Sequence, residues 1–405
     1  MNIEDFVDRL ETRFEANVRL QRLARNTLSV VLLSDGKNER LVTIYGDRLI
    51  TGGSIGAPDL SWDYSIESSE HSWSALGAGE IDLMAAVGKG EVSVYGNLAK
   101  FGADSEILYA LFDLADRHSG VDNSSSGTAE DWSTNHRVTG HYVDVDGIRT
   151  YYERTGSSDL PAILALHTAG RDGRQWQQVA DRLAEQWQTV AIDLPGHGKS
   201  WPTSKARGLE SAADIADFIS KFWKAANLST PLVVLGCSLG ANLALRIGAT
   251  FHDEVRGVIA LQGSDYSNIG TTSGLKWMDH EQISPRSYFR PRTLSLTGGA
   301  ASGKKLDYLL WEAEAYTGSI IRSDMHAYIT GDSRDLTPSI TCPVLMFRGG
   351  DDWMVTEEMV NSAISRLDSA VAVTHVQPEG VGHFAHVEQP ELVASTISKF
   401  LDSIA

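Results

Sequence analysis

The pattern of apolar and polar positions changes character along the chain. In residues 3–24 apolar side chains recur every three or four positions, which predicts an amphipathic helix. Short strand-like runs follow, such as residues 61–66, where apolar and polar positions alternate with a period of two. From residue 141 onward near-continuous apolar runs alternate with helical segments, which is typical of parallel strands covered on both faces. The strands predicted in this second part are residues 142–145, 150–153, 162–166, 189–192, 232–235, 258–261, 344–347 and 371–376.

These patterns predict two domains joined by a linker. Residues 1–118 form a small α+β domain, and residues 119–136 are rich in Ser, Gly, Asn and Asp, as linkers are. Residues 137–405 form an α/β domain with a mostly parallel, eight-stranded sheet and helices on both faces. Within it, residues 266–338 contain no strand-like run although aromatic residues recur. Because insertions of this length are typically lids or binding elements, we predict a helical cap over the active site.

The composition excludes several classes of partner. A net charge of −18 does not provide the basic face that nucleic acid or an anionic membrane surface needs. Only two cysteines are present, so we expect no disulfide framework and no cysteine-based metal site. The sequence also has no metal-ligand cluster or phosphate-binding loop, so we expect no metal and no cofactor. The first residues are acidic and lack the apolar core of a signal peptide, and no apolar run approaches the ~20 residues that cross a bilayer. We therefore expect a soluble, cytoplasmic protein.

The sharpest chemical signal is the sequence Gly-Cys-Ser-Leu-Gly at residues 236–240. It follows the apolar run 232–235 and precedes an Ala- and Leu-rich helical pattern, so a strand, a turn and a helix come in immediate succession. Such a tight turn leaves no room for a Cβ at its flanking positions and holds its central residue in a strained conformation. The motif predicts that Ser238 is a nucleophile and that Cys237 packs as a small apolar side chain.

Residues 138–405 resemble the α/β-hydrolase family. The segments that carry the resemblance are an opening hairpin at 142–156, the sequence DLPGHGKS at 193–200 and the serine turn. An acid after a late strand and a Gly-His pair near the C-terminus complete the series in the order that this family uses. The resemblance implies a catalytic triad of Ser, acid and His.

Two aspartates and two histidines compete for the remaining places in the triad. Asp351 and Asp352 both follow the predicted strand 344–347, and the spacing in the family selects Asp352. Asp351 is expected to cap the turn, because Asp is common in turns. His383 lies just after the last strand and matches the Gly-His loop of the family, and His386 is the alternative base.

The oxyanion hole and the substrate pocket are predicted less directly. Acyl transfer needs two backbone donors aimed at the developing oxyanion, and the N–H of Leu239, next to the nucleophile, is one. The other should come from the loop after residues 162–166. Relatives usually have His-Gly there, whereas this chain has His-Thr, and the donor position falls on Ala169. The predicted substrate-binding residues are Trp277, Trp311, Tyr316 and Trp353.

Residues 1–118 resemble the sterol carrier protein type-2-like domain, a small α+β fold. The local match is VGKGEVSVYGN at residues 87–97, which is similar to a glycine-bounded, Lys-containing strand of that family. The resemblance implies a carrier of an apolar ligand. The alternative is a module for dimerisation or stability that binds no ligand. A lipid ligand or self-association as a homo-oligomer is therefore expected of this part of the chain.

The sequence as a whole predicts a serine hydrolase that cleaves a carboxylic ester or lactone of a bulky apolar substrate through an acyl-enzyme. One alternative is a C–C bond hydrolase of the meta-cleavage-product type, which shares the fold and the triad but often has a Gly-rich oxyanion loop. A second alternative, from another class, is a lipid-binding protein with an inactive hydrolase domain.

Overall fold

The structure is a computed structural model, and it describes residues 1–52, 61–114, 136–268, 285–299, 301 and 303–404, with the backbone alone for 285–288. The chain forms two compact units. Residues 1–120 together with 269–295 make up the first unit, and residues 121–268 together with 296–405 make up the second. Among the described residues, none of the helices is long and apolar enough to cross a membrane.

A five-stranded sheet forms the centre of the first unit. Its strands are β1 (Leu28–Ser34), β2 (Glu39–Tyr45), β3 (Arg48–Thr51), β4 (Tyr64–Ser68) and β5 (Val92–Gly96). The order across the sheet is β3-β2-β1-β4-β5, with β1 and β4 parallel and the other pairs antiparallel. The helices are α1 (Ile3–Ala16), α2 (Val18–Ala24), α3 (Glu70–Ala78), α4 (Leu83–Gly88) and α5 (Leu98–Phe112).

The first predicted helix, residues 3–24, is two helices in the structure. The break is at Asn17, whose backbone is extended and whose side chain accepts a hydrogen bond from Leu20 N. Asn is among the residues preferred at the N-cap of a helix. For this reason α1 ends and α2 begins at Asn17, although the apolar spacing continues. The likeness of this unit to sterol carrier proteins stays a prediction.

The first unit includes part of the insertion that the sequence assigns to a cap. The helix α6 (Pro285–Leu296) makes polar contacts with the N-terminal part of the chain. Arg290 Nε donates to Glu106 Oε1 at 2.9 Å, and Ser295 Oγ lies 2.8 Å from both carboxylate oxygens of the buried Asp82. The predicted insertion 266–338 is therefore divided between the two units.

The second unit contains an eight-stranded, mostly parallel sheet. Its strands are β6 (Thr139–Val145), β7 (Ile148–Thr155), β8 (Ala162–Leu166), β9 (Gln188–Ile192), β10 (Leu232–Cys237), β11 (Val255–Leu261), β12 (Val344–Phe347) and β13 (Val373–Val376). The order across the sheet is β13-β12-β11-β10-β8-β9-β7-β6. All eight strands predicted from the sequence are present. Only β7 runs against the others, since it pairs antiparallel with both β6 and β9.

Helices flank this sheet and contribute to its core. They are α7 (Gln177–Leu183), α8 (Ala212–Ala225), α9 (Leu239–Thr250), α10 (Gly303–Ala313), α11 (Gly318–Thr330), α12 (Glu357–Arg366), α13 (Ala385–Glu388) and α14 (Pro390–Ser403), with short 3₁₀ turns at Gly173–Trp176 and Thr337–Ser339. Every residue of β8, β9, β10 and β12 is buried, as expected of strands that are covered on both faces. The neighbouring strands β10 to β13 are parallel, so their carboxyl ends meet at one edge.

Candidate active site

The turn between β10 and α9 holds Ser238 in a strained conformation. Ser238 has φ +56° and ψ −118°, outside the regions that non-glycine residues usually adopt. The glycines on either side permit this turn for a steric reason. A Cβ on Gly236 would lie 2.0 Å from Gly240 O, and a Cβ on Gly240 would lie 2.3 Å from Leu166 O. Neither position can accept a side chain without movement of the backbone.

The turn places Ser238 at the start of α9 and at the carboxyl edge of the sheet. The first N–H groups of a helix have no partner within the helix, and Leu239 is the first residue of α9. Its N–H and the helix dipole favour negative charge beside Ser238. Cys237 is fully buried in the core beneath the turn, and its Sγ lies 3.4 Å from the carbonyl oxygen of His383. The prediction that Cys237 packs as an apolar side chain is confirmed.

Asp352 and His383 form a buried, hydrogen-bonded pair. His383 Nδ1 lies 2.7 Å from Asp352 Oδ2, and both residues are only 1% exposed. The other carboxylate oxygen of Asp352 accepts from Met354 N at 2.9 Å and from Val355 N at 3.2 Å. Since a carboxylate accepts the Nδ1 proton of His383, its Nε2 is the atom that can accept a proton.

The neighbouring aspartate has a different environment. Asp351 is exposed, and its carboxylate accepts long hydrogen bonds of 3.3 Å from Gly299 N and Gly380 N. It therefore joins two surface turns, whereas Asp352 contacts the histidine.

His386 is fully buried and packs against the hydrophobic core. Its ring stacks on Trp176 with centroids 4.4 Å apart, and neither ring nitrogen has a hydrogen-bond partner among the described residues. Burial, and secondarily the charges of His383 and Arg171, lower the pKa of His386 to about 3. The structure thus gives His386 no acidic partner to orient it as a base.

The low pKa of His386 predicts a specific pH dependence of stability. Below pH 6.5 the unfolded chain gains a proton at this residue, whereas the folded chain gains it only near pH 3. The native protein therefore loses stability as the pH falls through this window. When the pH is lowered from about 7.5 to about 4.5, the free energy of unfolding of native protein should fall by about 2 kcal/mol more than that of His386→Leu, which lacks the histidine. Urea unfolding at both pH values measures this difference, and parallel profiles for the two proteins would contradict it.

The buried side chain of Glu388 holds the loop that carries His383. Glu388 accepts from Gly382 N at 2.8 Å and from Phe384 N at 2.9 Å, the residues on either side of His383. A third backbone donor, Gly298 N, lies 2.9 Å from the same carboxylate. Burial raises the pKa of Glu388 to about 7, although these three donors oppose the shift. The backbone on both sides of the histidine is thereby tied to one side chain.

Gln262 joins the acid loop to the histidine loop. Its Oε1 accepts from Gly349 N at 2.8 Å, and its Nε2 donates to Gly382 O at 2.5 Å. Gln262 is fully buried and has φ +51°, which is unusual for a residue other than glycine. Strain of this kind is concentrated at functional sites. Gln262 therefore connects, through two hydrogen bonds, the loop that carries Asp352 with the loop that carries His383.

In the loop after β8, the N–H of Ala169 lies between two backbone donors that bind side chains. Thr168 N donates to Gln175 Oε1 at 3.3 Å, and Gly170 N donates to Asp324 Oδ2 at 2.6 Å. Between them, the N–H of Ala169 donates to none of the described residues. Ala169 is half-buried, as an oxyanion donor at the floor of a pocket would be.

Charged residues of α10 and α11 lie against this loop. Asp324 of α11 also contacts His197, with Oδ2 2.9 Å from Nε2. Burial opposes a charge on His197, but the neighbouring Asp324 carboxylate raises the pKa of His197 above its ordinary value. Glu312 of α10 accepts from Gln175 Nε2 at 3.1 Å and lies 3.5 Å from Arg171 Nε. Burial raises the pKa of Glu312 to about 8, against the opposing charge of Arg171.

The predicted substrate-binding residues occupy varied positions. Trp311 is 51% exposed, with the guanidinium of Arg174 4.7 Å above its ring. Tyr316 is half-buried and donates its hydroxyl hydrogen to the carboxylate of Asp172. Trp353 is half-buried beside Asp352, and Trp277 lies outside the described residues. Contact of these side chains with a substrate stays a prediction.

Sequence reasoning missed the side chains that hold the loops. They are Gln262, Glu388, Asp324 and Glu312. Only Gln262 has a visible signal, since it is a polar residue immediately after the apolar run 257–261, at the strand end where functional residues of parallel sheets occur. The others are acidic residues in helical segments, a position at which most acids are solvated. Among the described residues there is no cluster of His, Cys, Asp and Glu that could hold a metal ion.

Comparisons with known proteins agree with this architecture. A model of the alpha/beta hydrolase family matches residues 163–396. A pimeloyl-[acyl-carrier protein] methyl ester esterase of Neisseria meningitidis is 25% identical over 271 residues, which is 64% of this chain and 82% of that protein. The dihydrolipoyllysine-residue acetyltransferase component of the acetoin cleaving system of Cupriavidus necator is 33% identical over 136 residues, 33% of this chain and only 35% of the relative.

Solved structures show the same fold. A putative lipase of Acinetobacter baumannii AYE superposes with a TM-score of 0.57 at 22% identity, over 66% of this chain and 92% of the other. The enol-lactonase of Burkholderia xenovorans LB400 superposes with a TM-score of 0.57 at 16% identity, over 65% of this chain and all of the other.

Proposed function

Because the chain belongs to the alpha/beta hydrolase family, we propose that it is a serine hydrolase which cleaves a carboxylic ester or lactone through an acyl-enzyme. The observation that carries the proposal is the 2.7 Å contact between Asp352 and His383, at the sheet edge where the strained turn presents Ser238. The residue before Ser238 reaches the histidine loop, with Cys237 Sγ 3.4 Å from His383 O. A buried Asp–His pair at the sheet edge that carries a strained serine fits the arrangement that acyl transfer requires.

In the proposed reaction Ser238 Oγ attacks the carbonyl carbon of the substrate. His383 Nε2 takes the hydroxyl proton, while Asp352 holds the Nδ1–H tautomer and stabilises the imidazolium that forms. The carbonyl oxygen becomes an oxyanion, which the N–H groups of Leu239 and Ala169 would stabilise. The imidazolium then protonates the leaving alkoxide, and the C–O bond breaks to leave an acyl group on Ser238.

Water completes the cycle by the same steps. His383 removes a proton from water, the hydroxide attacks the acyl carbon, and the collapse of the second oxyanion returns the proton to Ser238 Oγ. No metal or redox partner is needed at any step, since every charge that develops meets a backbone donor, the imidazole or a carboxylate. In a lactone the acyl group and the leaving alkoxide belong to one molecule, so the product is a hydroxy acid.

The relatives support the ester or lactone as the substrate class. The pimeloyl-[acyl-carrier protein] methyl ester esterase is named for cleavage of an ester, and the similar fold of an enol-lactonase accommodates a cyclic ester. Ser238 is the central residue of the turn between β10 and α9. Some other members of the fold use Asp or Cys as the nucleophile at this position, so the serine favours acyl transfer over their reactions. The identity of the acyl group is left to experiment, because one fold hosts many activities.

A labelling and turnover experiment tests the proposal. Native protein and Ser238→Ala are treated with a fluorophosphonate, and both are assayed with short and long p-nitrophenyl esters, a macrolactone and a vinylogous diketone. We expect label on Ser238 of the native protein alone, together with ester or lactone cleavage that the alanine variant lacks. Cleavage of the diketone alone would instead favour a C–C bond hydrolase. Absence of both label and turnover would overturn the assignment as an enzyme.

A further inference from the structure

We propose that the two cap helices assemble the oxyanion hole, with Asp324 of α11 as the residue that fixes the orientation of the Ala169 N–H. The inference rests on the proposed function and adds a form of control to it. The hole would be complete only while α10 and α11 are seated on the loop of residues 167–170.

The first observation is the double contact made by one carboxylate oxygen. Asp324 is 1% exposed, and its Oδ2 accepts from Gly170 N at 2.6 Å while lying 2.9 Å from His197 Nε2. Hydrogen bonds to an ionised acceptor are shorter and roughly twice as strong as neutral ones. The peptide that follows Ala169 is therefore held by a side chain 154 residues further along the chain.

The second observation is the close contact between α11 and two glycines, Gly170 and Gly196, which lie in two neighbouring loops. Gly170 has φ +64°, and a Cβ there would lie 3.1 Å from Ile321 Cγ1 of α11. Gly196 has φ +86°, and a Cβ there would lie 2.3 Å from Ile320 Cδ1. Both isoleucines are buried, so α11 packs directly on the loops that carry Gly170 and Gly196. A side chain at either position would push against these isoleucines, so the two glycines let α11 pack close to the backbone that Asp324 contacts.

The third observation is a parallel connection from the other cap helix. Gln175 accepts from Thr168 N through Oε1 and donates through Nε2 to Glu312 of α10, at 3.3 Å and 3.1 Å. The N–H groups before and after Ala169 are thus both connected to buried carboxylates of the cap. Because the two neighbouring peptides are fixed, the direction of the Ala169 N–H is fixed as well.

The orientation of that donor has a large effect on the rate. Removal of one oxyanion donor lowers kcat by about 10²–10³-fold in comparable enzymes, and a displacement of about 1 Å costs about 10²-fold. An oxyanion hole held by the cap would therefore respond to movement of α10 or α11. Substrate that seats the cap would complete the hole, whereas an open cap would leave Ala169 free to turn away.

The test separates transition-state stabilisation from folding and from ground-state binding. The variants are Asp324→Ala, Asp324→Asn and, as a matched control, Asp307→Ala, which removes an exposed carboxylate from α10. Each variant is assayed for kcat and KM on a p-nitrophenyl ester and for binding of a trifluoromethyl ketone, whose adduct with Ser238 carries an oxyanion. The matching secondary alcohol forms no oxyanion and reports ground-state binding. Thermal unfolding reports any loss of folding.

We expect kcat of Asp324→Ala to fall about 10²-fold, with the affinity for the ketone falling by a similar factor and that for the alcohol by less than about threefold. Asp324→Asn keeps an oxygen for Gly170 N, so it should lie between Asp324→Ala and native protein. If Asp324→Ala does not fold, the same comparison of kcat and of ketone and alcohol binding is made with Asp324→Asn. Unchanged kcat, or equal losses for ketone and alcohol, would overturn the inference while the native enzyme remains active. Native protein that cleaves no ester and binds no ketone would overturn the proposed function itself.

Discussion

Asp352→Asn is expected to lower kcat for ester hydrolysis about 10⁴-fold, whereas Asp351→Asn should leave it within about twofold of the native value. The two variants remove the same charge from adjacent positions. Only Asp352 accepts the Nδ1 proton of His383, at 2.7 Å. An amide at this position can present its NH₂ group to the ring, which favours the tautomer whose Nε2 carries a proton and cannot act as a base.

Asp351→Asn is the control because, within the described part of the chain, the Asp351 side chain accepts hydrogen bonds only from backbone N–H groups of surface turns, at 3.3 Å. An asparagine keeps one oxygen that can accept these bonds. Steady-state kinetics on a p-nitrophenyl ester gives kcat for both variants, and circular dichroism confirms that each is folded. The assignment fails if the Asp351 variant is the slower of the two, or if Asp352→Asn retains more than about a tenth of native kcat.

Gly240→Ala should destabilise the folded protein by about 3 kcal/mol or more and abolish the activity. Its new Cβ would meet backbone atoms, 2.3 Å from Leu166 O and 2.9 Å from His167 O. Backbone at the end of a fully buried strand cannot move away as a side chain can. The same displacement would shift the loop that follows β8 and carries Ala169, so turnover should fall even in the fraction that folds.

Gly248→Ala makes the same change two turns further along α9 and is the matched comparison. Its Cβ would meet Val258 Cγ2 at 2.4 Å, a side-chain methyl that can move, with the Val258 Cβ at 3.8 Å. Alanine also gains up to about 1 kcal/mol over glycine within a helix, so the net cost should not exceed about 1 kcal/mol. Urea unfolding of both variants measures the two values. Equal values would show that close backbone contact at Gly240 does not limit the turn.

The sequence could predict the features that depend on local backbone conformation and on burial. All eight strands of the second sheet are present near their predicted positions. The clearest are β8, β9, β10 and β12, because a strand buried on both faces is apolar along most of its length. The turn at Ser238 could be predicted because it has no space for a Cβ at positions 236 and 240, so the sequence must have glycine at both. The break at Asn17 was missed because apolar spacing continues through it and only the extended backbone reveals the cap.

Residue order along the chain also determined which residues could meet at one edge of the sheet. Ser238, Asp352 and His383 follow the parallel strands β10, β12 and β13, so the topology alone brings them towards a common edge. The choice between adjacent aspartates needed the resemblance to a family, and the 2.7 Å contact with His383 now supports that choice. The environment of His386 in the core was invisible in a sequence that has twelve histidines.

Only the tertiary structure decided what holds the candidate site in place. Glu388, Gln262, Asp324 and Glu312 act on loops through contacts that bridge up to 154 residues of sequence. Local pattern records whether a residue lies in a helix or is buried, but it does not record which distant N–H group its carboxylate will accept from. That pairing is set by how the loops pack against helices α10 and α11 in the folded chain. The sequence by itself thus determined the strained turn at Ser238 and the sheet beneath it, and the folded chain decided how the loops that carry Ala169 and His383 are held.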